Sequence, residues 1–384
     1  PPLFSSRRRH TRSSVESRGL GDVYKRQISL RLRFVTLLAL PTHASRLDSL
    51  PCISQLTATD TNWEGNMCTS AGRIRSTQAV LPILCFGFQI LLAQPTWEPT
   101  GSMNFPRRDQ TATRLLDGQV LIVGGSNGYH PELYEPFSQT FSLTGSNSNA
   151  GRHGSTATRL LDGRVLLVGG TWTQLTTEIY HPVTESFGAA GSLNVVHTYH
   201  SATLLPDGRV LIAGGRDNSI SSHSHAIAEL YDPVTDTFSL TGSLNEDRAG
   251  HTATLLPDGR VLIVGGAQTT IPGHAIPLRI CELYDPSTGT FTVAGETASQ
   301  HSGHTATLLK NGKVLIVGGW YAHPELYDPV AGTFGMAGSL ITPRGSHTAS
   351  LLPDGRVLLA GGAIAIGPVT TSSAELYDPF ANSF

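Results

Sequence analysis

Histidine and glutamate recur at fixed places along this sequence, and both residue types can bind metals or transfer protons. Five histidines precede short runs of Thr, Ser, Ala and Leu: His153, His200, His251, His304 and His347. Six glutamates each precede an aliphatic residue and a tyrosine: Glu132, Glu178, Glu229, Glu282, Glu325 and Glu375. A catalytic group is expected once in a chain, so this recurrence favours structural hydrogen bonding. We predict that the glutamates pair with arginines near the first strands, such as Arg152, Arg248 and Arg344.

Other groups of residues that could bind a metal or catalyse a reaction give only weak sequence signals. His223 and His225 stand two positions apart in a long loop and could share a metal, but no third ligand is identifiable. The sequence has no Gly-rich phosphate loop. We therefore predict no cofactor, no metal and no enzymatic activity.

Cysteine chemistry is limited in the same way. Of the four cysteines, only Cys281 lies within the repeating part of the chain, so no disulfide is expected there. Tyr284 stands three positions later, which is roughly 10 Å along a strand and on its opposite face. The two side chains cannot bond to each other, and Cys281 is expected to be a free buried thiol.

These residues lie within a sequence that repeats itself six times. Double glycines recur 43 to 53 residues apart, at Gly124-Gly125, Gly169-Gly170, Gly214-Gly215, Gly265-Gly266, Gly318-Gly319 and Gly361-Gly362. Each unit contains a small-residue strand, an Asp-Gly or Asn-Gly turn, a continuous apolar strand, a Glu-Leu-Tyr-type strand and a strand that opens with an aromatic residue. Asp-Gly between apolar runs is a strong hairpin signal. Such a period predicts a β-propeller or a solenoid whose units must stack to be stable.

The double glycine after an apolar run, the later Tyr and the aromatic residue of the last strand resemble Kelch repeats, over about residues 95–384. The resemblance implies an all-β, Kelch-type β-propeller of four-stranded antiparallel blades. It also implies a copper radical oxidase as an alternative, because galactose oxidase-like enzymes share this propeller. Their site needs a Cys linked to a Tyr with further Tyr and His ligands. Cys281 is the one cysteine available within residues 95–384, and its partner would have to be a tyrosine other than Tyr284.

The number of blades depends on how the ring closes. Trp97–Ser102 matches a fourth strand that precedes the first complete unit, and the sixth unit stops at Phe384, where its own fourth strand should start. If the N-terminal strand completes the last blade, the ring has six blades and no open edge. If the sequence is truncated, a seventh blade or further domains are missing.

Length variation is concentrated between the double glycine and the Glu of the third strand, where the loops have 5 to 15 residues. Variable loops on a rigid scaffold are where binding usually resides. We predict that this loop face binds a protein or a carbohydrate. The predicted binding residues are Tyr129, His130, Trp172, His223, His225, His274, His301, Trp320, Tyr321 and His323. A third possibility is a structural or adhesive segment of a longer extracellular protein.

The N-terminal part is expected to lie outside this fold. Residues 1–66 are interpreted as a disordered, non-native leader, because Ser17–Gln27 resembles the translation of a sequencing-library adapter. Residues 67–94 combine two arginines with a short apolar stretch, too short for a membrane span, and predict a signal peptide. Residues 95–384 are then a propeller that is secreted or located at the cell surface.

The net charge of −2 gives no field that would attract nucleic acid or an anionic membrane. We therefore expect no nucleic-acid partner, no stable membrane insertion after signal removal, and a monomer.

Overall fold

A computed structural model of the chain describes residues 98–126, 130–145, 152–170, 175–217, 223–271, 274–319, 322–364 and 369–384, together with Ile28–Ser29. The chain divides into two compact units, of which Ile28–Glu98 forms one. The fold below concerns the other unit. Within the described residues, no helix is long and apolar enough to cross a membrane.

Twenty-seven strands are described. Two short strands lie outside the blades: β1 (Ile28–Ser29) and β2 (Glu98–Pro99). Blade 1 contains β3 (Arg108–Arg114), β4 (Val120–Ser126), β5 (Glu132–Glu135) and β6 (Thr140–Leu143). Blade 2 contains β7 (Thr156–Arg159), β8 (Val165–Val168), β9 (Glu178–His181) and β10 (Ser186–Ala189). Blade 3 contains β11 (Ser201–Leu204), β12 (Val210–Ala213), β13 (Ala228–Asp232) and β14 (Thr237–Leu240).

The remaining blades follow the same order. Blade 4 contains β15 (Thr252–Leu255), β16 (Val261–Val264), β19 (Ile280–Asp285) and β20 (Thr290–Glu296). Its long loop adds a hairpin of β17 (Ala267–Ile271) and β18 (His274–Pro277). Blade 5 contains β21 (Thr305–Leu308), β22 (Val314–Val317), β23 (Glu325–Asp328) and β24 (Thr333–Met336). Blade 6 contains β25 (Thr348–Leu351), β26 (Val357–Ala360) and β27 (Ala374–Tyr377).

Blade 4 shows why the repeat folds as an antiparallel sheet. Gly259 has a φ of 89°, which suits glycine, and the backbone N–H of Arg260 donates to the Asp258 carboxylate to close the turn. Strand β16 then pairs with β15 on one side and β19 on the other. All four residues of β16 are completely buried, as the unbroken apolar run predicts.

The sheets stack as a six-bladed β-propeller, which confirms the predicted all-β fold. The first strands of consecutive blades contact one another from β3 through β25, so they surround the centre. Apolar clusters join the faces of consecutive blades; between blades 3 and 4, for example, Leu211 and Leu230 pack with Ile263. Five blades have four strands each, and blade 6 has three.

The fourth-strand position of blade 6 begins with the blade's own residues. Asp378 and Ser383 form an antiparallel bridge. The ring of Phe384 packs on Tyr377 with centroids 5.0 Å apart, as Phe291 packs on Tyr284 at 4.8 Å. We predicted that Trp97–Ser102 supplies this strand, but Phe384 already occupies the position where the strand begins.

Each recurring glutamate contacts one buried basic side chain, an arginine in four blades and a histidine in two. Their partner stands just before the first strand of the same blade: Arg107–Glu132, Arg152–Glu178, His197–Glu229, Arg248–Glu282, His301–Glu325 and Arg344–Glu375. The basic side chain also contacts the first carbonyl of the double glycine, as when Arg248 donates to the Gly265 oxygen at 3.0 Å. The predicted pairing with arginine is confirmed in four blades, and histidine replaces arginine in blades 3 and 5.

The same carboxylate fixes the link from the preceding blade. The Asn245 backbone N–H and side-chain amide each donate to Glu282 at 2.7 Å. Burial alone would raise the pKa of Glu229, but hydrogen bonds from His197 and Asn194 outweigh it and place that pKa below its ordinary value. We call this arrangement of basic residue, glutamate and link the blade clamp.

Breaking one clamp should destabilise the whole fold. Arg248→Ala leaves the fully buried Glu282 without its charged partner, so we expect the free energy of unfolding to fall by about 3–5 kcal/mol. The measurement is urea denaturation of the full chain. Arg260→Ala is the matched control, because it removes an exposed pair with Asp258 and should cost about 1 kcal/mol or less. Equal losses in the two variants would contradict the clamp's role.

Candidate functional site on the loop face

The two ends of the blades differ. The tight turns after the first strands, such as Asp258-Gly259, lie at one end. The entries to the first strands lie at the other end, together with the long loops between second and third strands, because neighbouring strands are antiparallel. We call this second end the loop face and the first end the turn face.

The residues predicted for binding divide into four groups. Four lie outside the described residues: Tyr129, Trp172, Trp320 and Tyr321. Three are exposed, as a binding role requires: His223, His274 and His323. His130 is partly buried, and its ring stacks on Phe105 with centroids 5.2 Å apart.

The other two predicted residues are committed to the scaffold. His301 was expected at the loop face, but it is fully buried in the blade 5 clamp, where its nitrogens contact Glu325 and the Gly318 oxygen. His225 contacts the Val196 carbonyl oxygen at 3.2 Å and lies edge-on to His197. Burial, followed by the charge of His197, lowers the pKa of His225 to about 4. Among the described residues, no three potential ligands are grouped to hold a metal ion.

The two long loops of blades 3 and 4 are joined to each other. The Ser224 N–H donates to the Thr269 carbonyl oxygen at 3.1 Å, and the Thr269 N–H donates to the Ser224 hydroxyl at 2.8 Å. The β17–β18 hairpin presents His274 and Ile276 to solvent. The long loops of blades 3 and 4 are therefore hydrogen-bonded to each other on this side of the loop face, and we call this pair of loops the loop wall.

Sequence reasoning missed a second set of residues at the entries to the first strands. One position there has a positive φ in every blade. Glycine stands at it in blades 2, 4 and 5, whereas Asp109, Tyr199 and Ser346 stand at it in blades 1, 3 and 6, with φ of 58°, 55° and 51°. Non-glycine residues in this conformation are strained and cluster at functional sites. Aligning the six units on their first strands would have revealed these departures from glycine.

Two of these strained residues are connected by His153, the first-strand histidine of blade 2. His153 Nε2 lies 3.1 Å from the Asp109 carboxylate, and Nδ1 lies 3.0 Å from the Tyr199 hydroxyl. The Arg216 guanidinium lies over the Tyr199 ring, 5.5 Å from its centroid. The side chain of Asp109 is 53 % exposed and that of His153 is 28 % exposed, so solvent reaches the set. We call these four residues the mouth cluster.

The mouth cluster combines groups that can donate and accept hydrogen bonds. Burial, followed by the Asp109 charge, raises the pKa of Tyr199, so its hydroxyl keeps its proton at neutral pH. The ring of His153 bridges this hydroxyl and the Asp109 carboxylate, and the tautomer of the ring decides which nitrogen donates. The cluster offers a ligand a carboxylate acceptor, an aromatic ring and a guanidinium donor.

The other first-strand histidines join neighbouring blades, as their recurrence predicts. Each ring nitrogen Nε2 contacts a hydroxyl in the preceding blade: His200 with Thr156, His251 with Ser201, His304 with Thr252 and His347 with Thr305. The contact distances lie between 2.8 and 3.0 Å. His153 departs from this pattern because it stands two positions earlier in its unit.

Cys281 is a free, fully buried thiol in the described structure, and burial raises its pKa to about 12. It packs in the cluster between blades 4 and 5, whereas Tyr284 packs in the cluster between blades 3 and 4. The two side chains therefore lie on opposite faces of the sheet, which confirms that they cannot bond to each other.

Comparison with known proteins supports the fold. No family model matches the sequence, and no curated protein matches it. A solved structure of a novel fungal alcohol oxidase of the AA5 family, in complex with copper, is similar with a TM-score of 0.58 and 18% identity. The match covers 71% of this chain and 61% of that chain. The structure of YjhT is similar with a TM-score of 0.57 and 15% identity, over 71% of this chain and 95% of YjhT. Both likenesses show the propeller fold.

The buried histidines should make the fold sensitive to acid. Burial lowers the pKa of His251 to about 3 and that of His347 to about 4, whereas the unfolded chain takes up these protons near pH 6.5. Below pH 6.5 the unfolded state therefore binds more protons, and each histidine removes up to about 1.4 kcal/mol of stability per pH unit. We expect His251→Gln to reduce the pH dependence of the free energy of unfolding by up to about 1.4 kcal/mol per pH unit between pH 6 and pH 4.

The measurement is urea denaturation at a series of pH values. His274→Gln is the control, because it replaces an exposed ring on the hairpin instead of a buried one. A slope in His251→Gln that equals that of the parent would contradict the burial of a neutral ring.

Proposed function

We propose that this protein is a secreted or surface-exposed Kelch-type binding scaffold, and that its loop face recognises a protein or glycan, with a glycan favoured. The mouth cluster carries this proposal. It places exposed polar groups and an aromatic ring at the central end of a rigid fold, beside a wall of joined loops. Binding sites commonly have such a small number of convergent polar groups.

The strain at Asp109 and Tyr199 supports a functional role. A left-handed backbone costs a non-glycine residue about 1 kcal/mol or more, and glycine occupies the same position in three blades. Three blades thus show that the fold itself accepts glycine here. The side chains of Asp109 and Tyr199 must offer something besides folding, and their shared contact with His153 points to one site.

The chemistry of the mouth cluster favours a sugar. A carboxylate can accept hydrogen bonds from two neighbouring hydroxyls, and a guanidinium can donate to ring or carbonyl oxygens. The partly exposed ring of Tyr199 supplies a flat apolar surface for the C–H groups of a pyranose. The exposed loop residues His274 and Ile276 would extend contact to a longer glycan or to the protein that carries it.

The copper radical oxidase that the sequence leaves open has no specific observation in its favour. One similar structure is an alcohol oxidase in complex with copper, but its identity of 18% supports only the shared fold. We therefore propose binding without catalysis.

A glycan array followed by titration calorimetry tests the proposal on the full chain. Asp109→Asn removes the charge of the acceptor and Tyr199→Ala removes the ring surface, so we expect each to weaken binding of the best glycan about tenfold or more. Asp162→Asn is the matched control, because Asp162 is 48 % exposed and paired with Arg164 on the turn face. It should leave the affinity unchanged.

Replacing Gln268–Ile276 by Asn-Gly tests the loop wall separately. The paired residues Ala267 and Pro277 then flank a two-residue turn, so blade 4 keeps its strands. Binding that survives this replacement and both mouth-cluster substitutions would contradict a ligand site on the loop face.

A further inference from the structure

The faces of the blades are not all covered alike. Apolar clusters join blade 1 to 2, 2 to 3, 3 to 4, 4 to 5 and 5 to 6. Among the residues that the structure describes, no such cluster joins blade 6 to blade 1. A six-bladed ring that closes on itself would need this sixth junction.

The face of blade 6 that points away from blade 5, its outward face, is partly exposed. In blade 4 the face toward blade 5 buries Leu256, Leu262, Val264 and Leu283, each at most 7 % exposed. The counterparts in blade 6 are all partly exposed: Leu352, Leu358, Ala360 and Leu376. Blade 6 therefore carries the apolar residues of a blade–blade interface, but no blade in the described part of the chain covers them.

Blade 1 shows the complementary gap. Tyr134 and Val120 are partly exposed, whereas their counterparts Tyr180 and Val165 in blade 2 are completely buried against blade 1. Ile122 remains buried on this face, at 2 % exposed.

The turn face gives a third, independent observation. The glycine of each tight turn is approached by the residue that precedes the turn of the previous blade. A Cβ atom on Gly163 would lie 2.7 Å from Leu116, and one on Gly355 would lie 3.4 Å from Lys310. The corresponding neighbour of Gly118 in a closed six-bladed ring would be Pro353, but a Cβ atom on Gly118 would meet nothing within 4 Å.

The chain already supplies one strand of the absent junction. Thr100 contacts the Tyr134 hydroxyl at 2.6 Å and the Gly101 N–H donates to the Gln139 oxygen. Thr241 and Gly242, which follow the fourth strand of blade 3, make the same contacts to Tyr284 and Gly289 of blade 4. Pro99–Gly101 therefore stand where the fourth strand of a blade preceding blade 1 would stand.

Blade 6 does not take this strand, because its own residues hold the position. The position opposite Tyr377 holds Phe384. The Tyr377 hydroxyl also donates a hydrogen bond to Asn382 Oδ1 at 2.8 Å. In sequence, Trp97 is the counterpart of this phenylalanine, and two aromatic residues cannot fill one position.

We propose that the space between blades 6 and 1 is the docking surface for three strands of a seventh repeat unit of the same type, with Pro99–Gly101 completing its fourth strand. The occupant is an antiparallel sheet that carries alternating aliphatic residues. It covers Leu358 and Leu376 on one side and Val120 and Tyr134 on the other. The ring then has seven junctions of one kind. This inference is independent of the proposed ligand.

Cysteine pairs on the turn face test whether blades 6 and 1 are neighbours. Leu116→Cys with Gly163→Cys probes an existing junction, and Pro353→Cys with Gly118→Cys probes the junction that six-bladed closure requires. Both pairs place one cysteine at a turn glycine with positive φ, so they are matched. Under mild oxidation of the full chain, peptide mapping should find the first disulfide and not the second. Formation of the second disulfide at the rate of the first would overturn the proposal.

Adding the missing strands provides the second test. A copy of residues 335–383 is joined after Phe384, which places a seventh set of three strands before the N-terminal fourth strand. We expect the melting temperature to rise by about 5 °C or more, since two apolar faces become covered. Val357→Asp with Leu359→Asp, made only in the added copy, should abolish the rise. An unchanged melting temperature with the unmodified copy, or self-association through the uncovered faces that the copy does not relieve, would contradict a seventh blade.

Discussion

A buried glutamate at the start of the third strand determines how each blade is assembled. Its carboxylate binds a basic side chain that precedes the first strand, and in blades 3 to 6 it also receives backbone N–H groups from the link that arrives from the preceding blade. One side chain thus joins the third strand, the first-strand entry and the neighbouring blade. Because the pair is desolvated, it tolerates little displacement, and its six copies give the propeller its regular geometry.

The clamps lie directly beneath the loop face, and this placement explains how the surface can vary. The strand entries are fixed by the buried pairs, so loops of different length can be inserted above them without disturbing the apolar clusters. The mouth cluster uses the same support. Arg107 and Arg152 hold the backbone immediately before Asp109 and His153, and the clamp residue His197 does the same before Tyr199. The strained conformations are therefore imposed by neighbouring buried interactions.

Much of the fold could be predicted from the sequence, because its signals are local and repeated. The Asp-Gly turns, the apolar second strands and the recurring Glu-Leu-Tyr segments each predicted one element, and the structure contains them in that order. The pairing of glutamate with arginine was also predictable, because both recur together. The substitution of histidine for arginine in two clamps was not recognised, and His301 was therefore assigned to the surface when it is a buried scaffold residue.

The site was harder to predict for a physical reason. Asp109, His153 and Tyr199 lie in three different blades, and only the ring arrangement brings them within hydrogen-bond distance. Exposed aromatic and histidine residues in the loops gave a stronger sequence signal, but His225 turned out to fill space beside His197. The uncovered faces of blades 6 and 1 could not be predicted either, because Leu358 and Leu376 have the same sequence pattern as their buried counterparts. Only their surroundings differ.

We infer that each blade is stable only when both of its faces are covered. Hydrogen–deuterium exchange of the full chain, followed by mass spectrometry, measures this directly. We predict that β12 and β16, which are covered on both faces, exchange much more slowly than β26, whose outward face is partly exposed. Exchange in β26 that is as slow as in β16 would contradict the claim.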